Sequence, residues 1–285
     1  MESRYSKSFF IVVLLSFSLG IPLTAFANLN EEFKQSLQKL RSRSISKGNF
    51  KELGALEAQC LNLVKDHNSP PEKSMIYATI ALIYSSKGYR LSDEGKAKIA
   101  KTIEYGKKAT AHSIADVLIS CKVHGRLSDA IIIKAKQGPK DKFAEARREA
   151  IIPCLKGLKI ALDNNAPKER PELPPQIPVP NDIGPDKEAR RKRIEEYKKQ
   201  FTERKQLYEH LRVLYNERRA LANRCVTIYS GEPYDPQEFR NYAQKILVGY
   251  EDVINELVEQ IEKRNAEHER RKAGSSGSQV PKSTK

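Results

Sequence analysis

Glycine recurs at regular intervals between helix-patterned segments, and this spacing limits the folds open to the chain more than any other feature. The sequences SKGNF, SKGYR and VHGRL place Gly48, Gly88 and Gly125 at intervals of 40 and 37 residues. Glycine is common just after a helix C-terminus, and periods of this length are typical of stacked helix pairs. We therefore expect a turn at each glycine and an all-α fold that begins as a short α-solenoid.

The segment YATIALIYSSKGY, residues 77–89, could be read as a buried strand or as a helix. It follows SPPEK, in which Ser69 is a capping hydroxyl and the two prolines suit a first helical turn. Apolar residues from Met75 onward form a run that is long for a strand. The sequence therefore predicts the first helix of a repeat, beginning at Ser69 and ending before Gly88.

This segment, followed by TIEYGKKAT, resembles a tetratricopeptide repeat. The positions that carry the resemblance are Ile80, Ala81, Tyr84, Gly88, Ile103, Tyr105 and Ala109. It covers roughly residues 30 to 165 and implies three helix pairs followed by a capping helix at 143–163. The intervals between the glycines are longer than the family's repeat of about 34 residues.

The resemblance implies a groove, lined by the first helix of each pair, that holds an extended peptide or a partner helix. The groove positions expected in this chain are Ala78, Thr79, Leu82, Ile119 and Lys122. These residues are mostly apolar, so the groove either binds an apolar partner or is filled by the protein's own chain. The function implied is that of an adaptor or assembly factor that binds another protein or a peptide.

The first residues predict a secretory leader. Arg4 and Lys7 form a basic start, an apolar run covers residues 9–23, and AFA ending at Ala27 matches a cleavage site. The apolar run has 15 residues, fewer than the roughly 20 that span a bilayer, although a retained anchor is the alternative. We expect cleavage after Ala27, no later transmembrane segment, and an exported protein, periplasmic or extracellular.

Four cysteines in an exported chain raise the question of disulfides. Cys60, Cys121, Cys154 and Cys225 are far apart, and each lies among apolar neighbours. Free cysteine is often buried as a small hydrophobic residue. We expect four buried thiols, with a bridge between Cys121 and Cys154 as the main alternative.

The composition changes after residue 165. Seven prolines lie between residues 167 and 185, which predicts a semi-rigid extended spacer, although this segment could also dock on an aromatic groove or on the first domain. The expected organisation is a leader (1–27), a repeat domain (28–165), a linker (166–186), a charged helical hairpin (187–270) and a disordered basic tail (271–285).

The expected hairpin consists of two long antiparallel helices. Apolar residues in both halves follow steps of three and four, as in a coiled-coil seam. In the first half they are Ile194, Tyr197, Phe201, Tyr208, Leu211, Tyr215, Ala222, Cys225 and Tyr229, and in the second Phe239, Ala243, Ile246, Tyr250, Val253, Leu257 and Ile261. Such a hairpin could form a homodimer or a structural stalk.

The chain carries a formal net charge of +15, and the start of the hairpin is especially basic. Arg190, Arg191, Lys192 and Arg193 are the candidates for binding an anionic polymer or a membrane surface. Interspersed glutamates favour a solvated face with i,i+4 pairs such as Glu188–Lys192.

No motif of catalysis, metal binding or cofactor binding is present. The five histidines lack metal-ligand spacing, and no phosphate-binding glycine loop or nucleophile elbow occurs. We therefore expect no catalytic, metal or cofactor site and no enzyme activity.

Overall fold

The computed structural model describes residues 29–46, 50–86, 92–173, 187–230 and 235–276. Within these ranges the chain forms nine α-helices, two short 3-10 turns and no β-strand, so the all-α class is confirmed. The helices are α1 (Glu31–Ser46), α2 (Phe50–Asn62), α3 (Pro70–Ser85), α4 (Asp93–Thr110), α5 (Val117–Lys136), α6 (Phe143–Asp163), α7 (Lys187–Tyr229), α8 (Pro236–Ile246) and α9 (Glu251–Ser276).

Short polar side chains define several helix starts. The predicted start of α3 is confirmed, because the backbone N–H of Ser69 donates to Glu72 at 3.2 Å in a capping box. Ser92 accepts from the backbone of the first turn of α4, and Asp116 does the same for α5. Asp235 caps α8, with a proline at the first helical position.

The helices stack in a regular order. Each helix from α1 to α6 contacts the next, and the odd-numbered helices contact one another in turn, from α1 through α3, α5 and α7 to α9. Lys122 lies near Glu217 and Asp129 near Arg224, so α5 and α7 run in the same direction. This arrangement is compatible with a helical repeat fold.

Two apolar cores hold the stack together. The N-terminal core consists of buried residues between Phe33 and Val123, from α1 to the start of α5. The C-terminal core consists of buried residues between Cys121 and Ile261, from α5, α6, α7, α8 and α9. The second core therefore includes helices from both sides of the proline-rich segment.

A buried carboxylate links three helices in the N-terminal core. Glu57 of α2 accepts hydrogen bonds from the hydroxyls of Tyr84 and Tyr105, each at 2.5 Å, and from Lys101 Nζ at 2.9 Å. Its side chain is 12% exposed. Burial alone would raise the pKa of Glu57, but these three donors outweigh it and leave the pKa below its usual value.

Gly125 was predicted to form a turn, and this prediction is wrong. It lies inside α5, where a Cβ atom would come within 3.0 Å of Arg224 and 3.4 Å of Leu221. Gly157 of α6 is tighter still, because a Cβ there would lie 2.8 Å from the Cβ of His124. These two glycines allow α5, α6 and α7 to approach closely. Gly48 and Gly88 lie outside the described residues.

The expected antiparallel hairpin differs from the structure. The second predicted helix is divided into α8 and α9 by residues 247–250, and Gly249 has a φ of +87°, a conformation that favours glycine. α8 lies along α6, with Arg148 bonded to Glu238 at 2.6 Å and Tyr250 bonded to Asp163 at 2.8 Å.

α9 runs in the same direction as α7 rather than against it. Side chains from residues 215–223 of α7 and 253–260 of α9 line one crevice, and farther along Arg264 donates to Thr227 at 2.7 Å. The physical reason is that α8 is the helix that runs opposite to α7. It packs its buried Phe239 and Ala243 into the C-terminal core. None of the described helices combines the length and apolar character that a bilayer crossing requires.

Candidate functional site

The groove positions expected on α3 are inside the N-terminal core. Ala78 and Thr79 are fully buried and Leu82 is 8% exposed. Thr79 donates its hydroxyl proton to the carbonyl of Met75 at 2.9 Å. Because α1 lies against α3, these side chains line no open groove, which corrects the expectation from the sequence.

Of the two expected positions on α5, Ile119 is covered and Lys122 is not. Ile119 is 7% exposed and belongs to the N-terminal core. Lys122 is half-exposed, and its ammonium lies 3.9 Å from the carboxylate of Glu217 on α7. Burial raises the pKa of Glu217, and Lys122 acts in the opposite direction. This side of α5 therefore faces α7, and the exposed Lys122 lies beside Glu217.

A small opening remains between α1 and the ends of α3 and α5. It has a volume of about 200 Å³ and is lined by Met75, Ala115 and Ile119 together with polar side chains of α1. Ligand sites usually enclose about 300–1,000 Å³. The opening is therefore too small to hold more than part of a ligand.

A larger cleft lies where α5, α6 and the C-terminal part of α7 meet, and we call it the junction cleft. Its volume is about 530 Å³, which falls within the usual range for ligand sites. Its apolar lining consists of Ile132, Ile133, Phe143 and Ile228, and its polar lining of Asp129, Lys136, Arg147, Asn223, Arg224, Thr227 and Ser230.

One charged pair fixes the wall between α5 and α7. Arg224 Nε donates to both carboxylate oxygens of Asp129 at 3.1 Å. Arg126 on α5 lies 3.9 Å from the same carboxylate. Among the described lining residues the one carboxylate, Asp129, is thus already paired with Arg224, and the exposed Lys136 lines the same cleft.

Arg147 supplies a second, deeper positive charge. It is 4% exposed, and its guanidinium lies 5.4 Å from the ring of Phe143 and 5.9 Å from that of Tyr229, within the range of a cation–π interaction. Burial lowers the pKa of Arg147, while Tyr229 and Glu238 act in the opposite direction. Because a guanidinium stays protonated in proteins, this charge persists at neutral pH.

The junction cleft suits recognition by contact and charge. An apolar group can rest against Ile132, Ile133 and Phe143, while a carboxylate is attracted to the exposed Lys136. Over the described ranges, no group of histidine, cysteine or acidic side chains is placed to hold a metal ion. The geometry therefore favours binding of a segment that is both acidic and apolar.

Reasoning from the sequence missed this cleft. Its residues come from three helices, and α7 lies beyond the proline-rich segment, so their proximity leaves no local pattern. The one available signal for the cleft was the run IIIKAK at 131–136. Its three consecutive isoleucines point to different faces of the helix and are followed by lysines. That run is wider than one buried helix face requires.

The basic residues at the start of α7 are on the surface. Arg191, Lys192 and Arg193 are exposed, and the side chain of Arg190 lies outside the described part of the chain. Lys192 lies 3.4 Å from Glu188, as predicted, and Arg191 lies 3.4 Å from Glu195. Surface pairs of this kind contribute little to stability.

Between residues 191 and 213, α7 contributes no buried side chain. From residue 191 to residue 213 every side chain is exposed or partly exposed, and Leu207 is 47% exposed. Among the side chains of α7 that the structure describes, Leu214 is the first that is buried. We call residues 191–213 the outer half of α7.

Comparison with known proteins gives no further constraint. No family model matches the sequence, and neither a curated protein nor a solved structure matches it. The class supported here is therefore the coarse one, an all-α protein compatible with a helical repeat fold.

Proposed function

We propose that this protein is an exported interaction module that binds an acidic, partly apolar segment of a partner protein in the junction cleft. The role would be that of an adaptor or assembly factor, and the repeat domain would be of the tetratricopeptide type. The observation that supports the proposal is the combination of four apolar side chains with the exposed Lys136, while Asp129, the one carboxylate among the described lining residues, is paired with Arg224.

The polarity of the cleft selects its ligand. The exposed Lys136 favours a carboxylate over a neutral or basic group by several-fold in affinity, because complementary charges attract across an interface and like charges repel. The half-buried Ile132 and Ile133 provide contact area for an adjacent apolar side chain. A peptide carrying an acidic residue next to leucine, isoleucine or phenylalanine fits both requirements.

Peptide display on the purified full chain would test this proposal. Peptides selected by the protein would be synthesised with a fluorophore, and their dissociation constants measured by anisotropy at low and physiological salt. We expect acidic, apolar peptides to be enriched. Selection of basic peptides, or of none, would contradict the proposal.

A matched pair of lysine variants separates the cleft from the general charge of the protein. Lys136→Glu changes a lining residue, whereas Lys134→Glu changes an exposed lysine two positions away that does not line the cleft. We expect the first to weaken peptide binding about tenfold or more, and the second less than about twofold. Equal losses would indicate non-specific attraction.

A second candidate function is supported by the outer half of α7. Its exposure and its excess of basic residues would suit an anionic polymer or a membrane surface. The probe would be a heparin column, on which Lys192→Glu with Arg193→Glu should elute at lower salt than the unmodified chain. Unchanged elution would remove this candidate.

The same surface also allows self-association. Tyr208 and Leu211 are only partly exposed along the outer half, and a second copy of the chain could cover them as in a coiled coil. Sedimentation velocity of the full chain would detect a dimer, and Tyr208→Glu with Leu211→Glu should abolish it. A chain that stays monomeric at high concentration would exclude the structural dimer.

A further inference from the structure

Two cysteine side chains meet in the C-terminal core. Cys154 of α6 and Cys225 of α7 are both fully buried, and their sulfur atoms lie 2.9 Å apart although 71 positions separate them in the chain. Unbonded heavy atoms usually rest about 3.5–4.0 Å apart. The packing of α6 on α7 therefore brings these two sulfurs closer than ordinary contact requires.

The other two cysteines have different surroundings. Cys121 donates its thiol proton to the carbonyl of Gly157 at 3.6 Å, and Cys60 lies in the N-terminal core. All four cysteines are buried in this structure, as predicted. The bridge considered from the sequence, between Cys121 and Cys154, has no such contact, since Cys154 faces Cys225 and the carbonyl of Leu221.

We propose that Cys154 and Cys225 are a disulfide-forming pair, oxidised while the chain folds in an oxidising compartment. This inference rests on the proposed export of the chain, and it is independent of the junction cleft and of any peptide ligand. It concerns a covalent modification site that joins the helices on the two sides of the proline-rich segment.

The chemistry requires a disulfide donor, namely an exported dithiol–disulfide exchange protein or, in vitro, oxidised glutathione. One cysteine thiolate attacks the donor disulfide and forms a mixed disulfide, and the other cysteine then displaces the donor sulfur. The two cysteines lose two protons and two electrons, and the donor disulfide is reduced to two thiols. The products are the Cys154–Cys225 bond and the reduced donor.

Burial sets the order of events. In the folded chain neither sulfur is accessible to a donor, and burial raises the pKa of Cys225, which suppresses its reactive thiolate. Exchange therefore takes place before α7 docks on α6. Once formed, the bond is protected from reductants by the same packing.

A bond at this position would constrain the unfolded chain strongly. It closes a loop that includes the whole proline-rich segment, and long loops give large stabilisation in the chain-entropy description. We expect the melting temperature of the oxidised protein to exceed that of the reduced protein by about 10 °C.

The test is to unfold and reduce the full chain and then refold it in a glutathione redox buffer. Remaining thiols would be alkylated and the digest analysed by mass spectrometry. We expect alkylation at Cys60 and Cys121. We also expect a linked pair of peptides containing Cys154 and Cys225, with a mass two hydrogen atoms below the sum of the two reduced peptides. Four alkylated cysteines, or linkage through Cys121, would overturn the proposal.

Variants provide a matched control. Cys154→Ser and Cys225→Ser should each lose the linked peptide, while Cys121→Ser, which alters a thiol of equal burial in the same core, should keep it. The measurement on the unmodified chain does not depend on these variants folding. A second measurement compares the rates at which folded and unfolded reduced protein react with oxidised glutathione. We expect the folded protein to react at least about 100-fold more slowly. Equal rates would contradict the folding-coupled mechanism.

Discussion

The two cores of this protein are built in different ways. In the N-terminal core a buried carboxylate, Glu57, accepts three hydrogen bonds from partners at most 48 positions away along the chain. In the C-terminal core the buried contacts are mainly apolar, and they join residues far apart in the chain, such as Cys154 and Cys225, which are 71 positions apart. The first core depends on a polar network, and the second on close approach of helices from both sides of a linker.

This difference determines which substitutions destabilise each core. Removing a member of a polar network leaves its partners buried without hydrogen bonds, which costs more than the network contributed. Removing an apolar side chain leaves a cavity, and adding an atom at a close approach forces helices apart. The predictions that follow use one variant of each kind, with a control in each case.

The largest effect is expected for Leu221→Ala. Leu221 is fully buried in the C-terminal core, where its side chain packs against Gly125 and Gly157. Truncating this side chain should lower the free energy of unfolding by about 3–4 kcal/mol. Leu207→Ala on the outer half of the same helix should cost less than about 0.5 kcal/mol. Denaturant titration measures both, and similar losses would show that the two halves of α7 are not distinct.

A somewhat smaller loss is expected for Glu57→Ala in the N-terminal core. Tyr84, Tyr105 and Lys101 would lose their common acceptor, which should lower the free energy of unfolding by about 2–3 kcal/mol. The control is Glu31→Ala, whose carboxylate is 75% exposed and should contribute less than about 0.5 kcal/mol. Hydrogen exchange would show increased opening mainly in α2, α3 and α4, and uniform opening would contradict two separately organised cores.

A pair of glycine variants should change stability in opposite directions. Gly157→Ala places a Cβ 2.8 Å from the Cβ of His124, and neither atom can rotate away, so we expect a loss of about 2 kcal/mol. Gly54→Ala on α2 meets no atom within 4 Å and should raise stability by about 0.5–1 kcal/mol. Melting temperatures would report both signs, and a stabilising Gly157→Ala would show that α5 and α6 can separate without cost.

The smallest effect is the response to acid. The pKa of Glu57 is lowered in the folded chain. The ionised carboxylate therefore stabilises the fold above its unfolded pKa of about 4.3, and this stabilisation is lost as pH falls through the folded pKa. The N-terminal core should therefore lose stability below about pH 4.5 with a steeper slope than in Glu57→Gln. Denaturant titration from pH 7 to pH 3 would measure the slopes, and identical slopes would contradict the lowered pKa.

The sequence predicted the parts of this fold that depend on neighbouring residues. The start of α3 was predicted from Ser69 and two prolines, all within three positions, and the all-α class from helix-length apolar segments. Such signals are local, so they can be recognised without knowing which helices meet.

The parts that were missed depend on long-range contacts. Gly125 serves close packing rather than a turn, and one glycine looks the same in the sequence in either role. Gly249 separates α8 from α9, but the apolar steps continue through it and suggested one helix. The junction cleft could not be predicted because Lys136 and Ile228 come together only after α7 has docked.

The continuity of α7 has a mechanical consequence. This helix has 43 residues, about 65 Å at 1.5 Å per residue, and it passes from solvent into the C-terminal core within one continuous rod. A force or torque applied to the outer half would therefore be transmitted along the hydrogen-bonded backbone to the contacts at Leu221 and Cys225. A partner that bound the outer half could therefore load the interface between α6 and α7 without touching it.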